Sequence, residues 1–321
     1  MKKPKRVVVL NDTRRDVGHV GCAMVMQNLL SLLRESGAEV VATFEDLSGD
    51  NHMQYRTAIA LSDAVVVNGE GTMHHDRPMA IDLVAAAEYA RSLGKQSFLI
   101  NSVWQDNPFL DHRLPGAFDA VFVRESRSAA QVSVAGVSAR VVPDLSFFGM
   151  SSHRSDNRRT RKPTYTDSVR PGVTRLFRQA ARIHGGRHVY MRPPAVEVLR
   201  QHFPGAPRWL AATLASSAMG IKDFNGPIVS GRYHAVCIAM KFGLPFLAVS
   251  SNTHKLEGML DDVGGGVSQQ VLSPGGLVPE TVVQRASALD GWTPEFSDAV
   301  EAYVQDARRK IAKMVSEVAQ S

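Results

Sequence analysis

The sequence predicts an α/β protein built from two parallel-sheet domains, and three observations carry that expectation. Short β-branched runs alternate with amphipathic helical segments from Arg6 to about Met150, a pattern that implies a parallel sheet layered with helices. A second alternation of the same kind begins near Thr174. The length of 321 residues at 44% hydrophobic content is enough for two cores, each in a domain of roughly 150 residues.

The elements follow in order. Val7 to Leu10 reads as the first strand, Ala23 to Glu35 as a helix, and Glu39 to Thr43 and Ala64 to Val67 as strands. A helix over Ala80 to Leu93 precedes strands at Gln96 to Ile100 and Ala120 to Val123. A helix from Ser126 and a strand at Ala139 to Val142 then complete a Rossmann-like unit. The first domain is placed at 1–150, a basic linker at 151–170 and the second domain at 171–321. In the second run, Thr174 to Ile183 reads as a helix, His188 to Met191 as a strand and Trp209 to Ser217 as a helix. Pro227 to Val229 is the next strand, Ser230-Gly231 its turn, Tyr233 to Phe242 a helix ended by Gly243-Leu-Pro245, and Phe246 to Val249 another strand. Val267 to Leu272 reads as a last strand, Pro279 to Ala288 as a helix and Pro294 to Val318 as a long closing helix. The expected architecture is two facing Rossmann-like domains whose sheet edges share one cleft.

Composition excludes several classes. No apolar run reaches the ~18 residues of a membrane span, and the basic start at Lys2 leads into a four-residue strand rather than a signal-peptide core. These features predict a cytoplasmic protein. Cys22 and Cys237 lack CxxC or Cys/His zinc spacing and read as core residues. The net charge of +6 is concentrated near the N-terminus and in the run His153 to Lys162. That run reads first as solvated linker and second as a peripheral contact with anionic membrane headgroups or a lipid-linked glycan. No aromatic interleaving accompanies it, so nucleic acid is not an expected partner.

Arg232 and His234 sit two residues apart where a buried strand gives way to a helix. In doubly wound folds that edge is the ligand crevice, and the helix N-terminus adds N–H groups and positive charge. Arginine presents a planar fork that matches a carboxylate or phosphate. Arg124, at another strand tip, joins Arg232 in a candidate anion clamp, with Ser230, Gly231 and Lys255 beside it. Asn68-Gly-Glu-Gly-Thr-Met-His-His-Asp76 follows a strand directly, so Gly69 and Gly71 let backbone approach a ligand. Glu70 is a candidate base or hydroxyl acceptor, and Asn68, Gly69 and His74 line the same wall. His74 and His75 are expected to point to opposite sides, and no metal is assigned. Asn11, Asp12 and His19, in the long loop after the first strand, read as contacts to an acceptor hydroxyl or as caps. Asn101 and Trp104 end another strand, with Trp104 placed to stack on a sugar face or to pack in the core.

The motifs Asn68-Gly-Glu-Gly-Thr72, Val123-Arg-Glu-Ser126, Pro143-Asp-Leu-Ser146, Ser230-Gly-Arg-Tyr-His-Ala235 and Phe242-Gly-Leu-Pro245, with Lys255, resemble the polysaccharide pyruvyltransferase family over roughly residues 7–265. The resemblance implies a GT-B-like pair of domains and transfer of a pyruvyl group from phosphoenolpyruvate to a sugar as a ketal, with a glycan acceptor and no cofactor. It assigns Arg232 and Arg124 to the donor's anionic groups, His234 to acid/base work, and Glu70 and His19 to the acceptor side. A nucleotide-sugar glycosyltransferase, with Arg232 and Lys255 on a diphosphate, is the alternative enzyme, and a non-catalytic glycan-binding subunit is a second alternative.

Overall fold

The computed structural model describes residues 3–15, 19–49, 51–149, 162–203, 207–215 and 218–321. The chain is an α/β protein with two parallel sheets carried by two Rossmann-like units. The first unit comprises Met1–Arg15, Val25–Phe148 and Ala307–Ser321, and the second comprises Asp16–Met24 and Gly149–Asp306.

The first unit contains β1 (Lys5–Leu10), α1 (Val20–Glu35, whose first turn counts with the second unit), β2 (Ala38–Phe44), α2 (Asn51–Ala60), β3 (Ala64–Glu70), α3 (Pro78–Ser92) and β4 (Gln96–Ser102). Two short helices, α4 (Pro108–Asp111) and α5 (Leu114–Ala117), lead to β5 (Ala120–Val123), α6 (Ser126–Val134) and β6 (Ala139–Val141). The strand order is β2-β1-β3-β4-β5-β6. Val7 to Val9 and Val65 to Val67 are fully buried, as strands covered on both faces require, and a β-branched run satisfies that without alternation. Val8, Leu10, Val65, Val67, Leu99, Val121 and Val123 share a core with Leu83, Val84 and Ala87 of α3. Burying each large side chain contributes about 1.5–3 kcal/mol.

The second unit runs β7 (Thr164–Ser168), α7 (Pro171–His184), β8 (Arg187–His188), α8 (Pro194–His202), α9 (Arg208–Leu214), β9 (Ile228–Gly231), α10 (Tyr233–Lys241), β10 (Phe246–Val249), α11 (Lys255–Val263), β11 (Val271–Leu272), α12 (Pro279–Ser287) and α13 (Pro294–Gln320), the last continuing into the first unit from Ala307. Its order is β11-β10-β9-β7-β8. Tyr165, Phe177, Val229, Leu247, Val249 and Val282 form its core.

Three expectations are corrected. The segment 151–170 is not all linker, because it contains β7, whose five residues are all buried. Its sequence, Thr-Tyr-Thr-Asp-Ser, has no apolar run to advertise burial. Side-chain hydrogen bonds satisfy it instead: Thr166 Oγ1 lies 2.6 Å from Ser230 Oγ, and Thr174 Oγ1 accepts the Ser168 N–H at 3.0 Å. The closing helix does not belong to the second domain throughout. Ile311, Met314, Val315 and Val318 make a buried stripe at helical spacing. In the first unit, Lys5 Nζ donates to the Val318 carbonyl at 2.9 Å and Arg140 donates to Glu317 at 2.7 Å. Ser230 and Gly231 are strand rather than turn. The remainder of the basic run before Lys162, like the end of the helix expected to reach Ser217, lies outside the described residues.

Both sheets have the same order about their first strand, which places a topological switch point between β1 and β3 and another between β7 and β9. The ligand crevice of such sheets lies outside the carboxyl ends of the strands flanking that point.

Candidate active site

At the β7/β9 switch point the end of β7 supplies Asp167, and the residue after β9 is Arg232. Arg232 Nε donates to Asp167 Oδ2 at 2.9 Å, and a terminal guanidinium nitrogen reaches the same oxygen. The other oxygen, Oδ1, accepts the Met191 N–H at 2.7 Å. The backbone of Arg232 is held too, since its N–H donates to Ser230 Oγ at 2.9 Å. The guanidinium is therefore fixed by a carboxylate that is only 3% exposed while remaining itself 16% exposed. A guanidinium has five N–H donors, so the pairing leaves capacity for an anion. Asp167 is hidden in the sequence because it lies inside a strand whose polarity conceals it; the one signal for it is that a buried-edge arginine requires a carboxylate. Gly231 has its own reason: a Cβ there would lie 2.4 Å from the Ser168 Cβ, so glycine lets β9 close on β7. Burial pushes the neighbouring His188 imidazole down, against the raising effect of the Asp167 charge.

His234 lies in the first turn of α10 and is buried. His19 and the first turn of α1, counted with this same unit, press against it. A Cβ on Gly21 would fall 2.3 Å from His234 Cβ and 2.4 Å from its Cγ. The His19 ring meets the His234 ring edge-on, with centroids 5.4 Å apart, and the Tyr233 ring lies 5.6 Å away. His19 is thus brought to His234. Lys255 begins α11, and its Nζ donates to Asn252 Oδ1 at 3.2 Å.

The carboxyl edge of the first sheet holds a buried polar network at its own switch point. Asn11, after β1, donates to the Asn68 carbonyl at 2.6 Å and to Thr72 Oγ1 at 3.2 Å. Asn68 Nδ2 reaches Glu70 Oε2 at 3.3 Å, and Asn101 Nδ2 donates to Asn68 Oδ1 at 3.2 Å. Asn101 Oδ1 accepts the Leu145 N–H at 3.1 Å, next to Asp144, which pairs with Arg124 at 2.9 Å. Asn11, Glu70 and Asn101 all take positive φ, at 62°, 36° and 54°. Asparagine tolerates that region, whereas Glu70 is strained by order 1–3 kcal/mol, a cost that clusters at functional sites.

Several expected placements differ. Arg124 is 1% exposed and paired with a fully buried Asp144, so it is a buried ion-pair residue of the first unit rather than an exposed strand tip. Trp104 is fully buried and its indole donates to Asp111 Oδ1 at 2.8 Å, so no ring face is open to a sugar. Gly69 accommodates the neighbouring strand, since a Cβ would meet the Ser102 Cβ at 2.5 Å. His74 and His75 do not diverge; their Nδ1 atoms are 2.7 Å apart because His75 turns to a φ of 57°. Asp12 is buried against Arg14; burial pushes its carboxyl up, but the hydrogen bonds and charge of Arg14 outweigh this and hold it below the usual carboxylate range. Cys22 and Cys237 are both buried.

Residues 19–203 match the model of the family described as polysaccharide pyruvyl transferase, which is more than half of the chain. The match includes the Asn68–Thr72, Arg124 and Asp144 motifs and ends before β9, so the Arg232/His234 junction lies outside it. No curated protein matches the chain. Among solved structures, Arabidopsis thaliana UGT89C1 complexed with quercetin is similar at 12% identity and TM-score 0.54, over 98% of this chain and 99% of that one. The same protein complexed with UDP-L-rhamnose gives 8% identity and TM-score 0.53 over the same shares. The UDP-GlcNAc 2-epimerase from Methanocaldococcus jannaschii gives 12% identity and TM-score 0.48, over 94% of this chain and 99% of that one. At these identities the UGT89C1 likeness speaks to the fold alone, which is GT-B-like.

Proposed function

The chain belongs to the polysaccharide pyruvyl transferase family, and from that premise we propose that it moves a pyruvyl group from phosphoenolpyruvate onto two hydroxyls of a glycan as a ketal. The observation that supports this best is the β7/β9 switch point, where Arg232 is oriented by Asp167 at the start of α10, two residues before His234. Phosphoenolpyruvate carries a carboxylate and a phosphate. Arg232 takes one bidentately, Lys255 adds charge for the other, and the α10 N-terminus favours both. His234 delivers a proton to the methylene carbon as a sugar hydroxyl attacks the adjacent carbon, and the proton that this hydroxyl gives up returns to the imidazole. Phosphate leaves, the second hydroxyl closes the ketal and its proton goes to the departing phosphate, so the products are ketal and inorganic phosphate. Glu70 and the Asn11, Asn68 and Asn101 amides are assigned to the acceptor. No helix of the described residues is long and apolar enough to cross a membrane, and a glycan on a lipid carrier would be met at the surface.

Donor identity is tested by thermal unfolding. A ligand at 100 times its Kd stabilises by about 2.7 kcal/mol, so phosphoenolpyruvate is expected to raise the Tm of the protein by several degrees and uridine or cytidine diphosphates are not. Arg232→Ala should abolish the shift, with Arg232→Gln/Asp167→Asn as the folded control that removes the same guanidinium without stranding the carboxylate. Stabilisation by a nucleotide and none by phosphoenolpyruvate would replace this reading with nucleotide-sugar transfer.

The close approach at Gly21 gives a second test. Alanine favours a helix over glycine by about 0.8–1 kcal/mol, yet its Cβ would occupy the position of the His234 ring. Gly21→Ala is therefore expected to fold while turnover falls by on the order of 10²-fold, because a displacement of about 1 Å in a reacting group has that effect. Wild-type turnover in this variant would mean that His234 need not stand where α1 holds it.

A further inference from the structure

His19, Cys22 and His234 converge within the second unit. They are 8%, 5% and 7% exposed, and their ligating atoms all lie within 4.8 Å of one another. We propose that these three side chains form a binding site for a thiophilic divalent cation of the zinc class, leaving one coordination position for an exchangeable ligand. Two imidazoles and a thiol are borderline-to-soft donors, which select zinc or cobalt over magnesium or calcium. Three protein ligands plus an open position is the arrangement of an exchangeable rather than a closed zinc site.

The local structure explains how three distant or differently placed donors meet. His19 and Cys22 are three residues apart across the first turn of α1 and so share a face. The N-terminal end of that helix favours the thiolate that a metal needs. Gly21, having no side chain, lets the turn close on His234. Zinc–nitrogen and zinc–sulfur bonds of about 2.0–2.3 Å in a tetrahedron place donor atoms roughly 3.3–3.8 Å apart. The present 4.8 Å limit closes to that spacing by side-chain adjustment of about 1 Å. The Cys22 N–H donates to His19 Nδ1 at a long 3.3 Å, and a cation on either nitrogen of that ring displaces this bond. Binding of the cation stands apart from the proposed acid role of His234. Combined with that role, which rests on the function proposed above, it makes the cation a reversible inhibitor, since a ring nitrogen holding a metal cannot deliver a proton.

The test uses the full chain stripped of metal and titrated with cobalt(II). One equivalent is expected to give a tetrahedral visible spectrum with a thiolate-to-cobalt charge-transfer band, displaced by zinc. The chain has two cysteines, so the band can be assigned: it should vanish in Cys22→Ser, weaken in His19→Gln and persist in Cys237→Ala. Should Cys22→Ser not fold, the His19→Gln and Cys237→Ala spectra still decide. No band, or one that depends on Cys237, overturns the site. Zinc at one equivalent is then expected to reduce pyruvyl transfer at least tenfold, with recovery on chelation; full turnover in zinc-loaded protein rejects the inhibitory linkage. A missing band with transfer intact removes the cation site alone, and a band in the cobalt-loaded protein with no transfer from phosphoenolpyruvate by the metal-stripped protein removes the proposed donor alone.

Discussion

Replacing His234 with asparagine is expected to lower the rate of phosphate release from phosphoenolpyruvate and acceptor by about 10²–10⁴-fold, the usual contribution of a positioned general acid. The donor-induced rise in Tm should persist, because Arg232 and its carboxylate partner are untouched. Asparagine is the informative substitution. It keeps a planar polar group under Gly21 but has no proton to give a carbon atom. In deuterium oxide the wild-type reaction should place one deuterium on the ketal methyl group, and the residual reaction of the variant should be slow at that same step. If His234 only orients the anion, the variant instead loses donor binding and retains turnover at saturating phosphoenolpyruvate. This separation of binding from rate assigns the histidine, and unchanged kinetics would remove it from the mechanism. Wild-type protein stripped of divalent metal provides the reference rate, so that a bound cation on the same ring is not mistaken for loss of the acid.

The junction around Arg232 and His234 was legible in the sequence because Ile228-Val229 is an apolar strand, Tyr233 onward is a helix, and only a few residues separate them. What anchors it was not. Asp167 sits on β7, a strand whose burial rests on hydrogen bonds between Thr166 and Ser230 and between Asp167 and both Arg232 and Met191. Hydrophobic periodicity cannot report a strand stabilised in that way. The glycines of the Asn68–Thr72 motif were legible as close-approach positions, and the group that approaches Gly69 is Ser102 of the adjacent strand. Likewise the side-to-side alternation expected of His74 and His75 fails once the backbone turns left-handed at His75. The pairing of His19 with His234 joins residues more than two hundred positions apart, and nothing local in either segment encodes it.

A second large effect is expected at Arg124, where the ion pair with Asp144 is almost wholly removed from solvent. Breaking such a pair from one side leaves a buried charge, a loss of about 3–5 kcal/mol. For a unit of this size each kcal/mol moves the transition by about 2–4 °C. Arg124→Met should therefore lower Tm by roughly 6–20 °C from these two ranges. The double variant Arg124→Met/Asp144→Asn should recover most of the loss, because the charge has gone while asparagine Oδ1 can still accept the Ser146 N–H now held by Asp144 at 2.9 Å. Non-additivity of that sign identifies the pair as the structural unit. Additive losses would show instead that Arg124 acts through other contacts. The same variants decide its second assignment. An arginine that holds the donor would, on replacement, abolish the phosphoenolpyruvate shift in the single and double variants alike. An arginine that holds the Asp144 turn, and through Leu145 the Asn101 amide, should leave the shift intact once stability is restored. The 1% exposure of Arg124, against 16% for Arg232, favours the second outcome: donor recognition concentrated on Arg232, with Arg124 keeping the acceptor-side asparagine network in register.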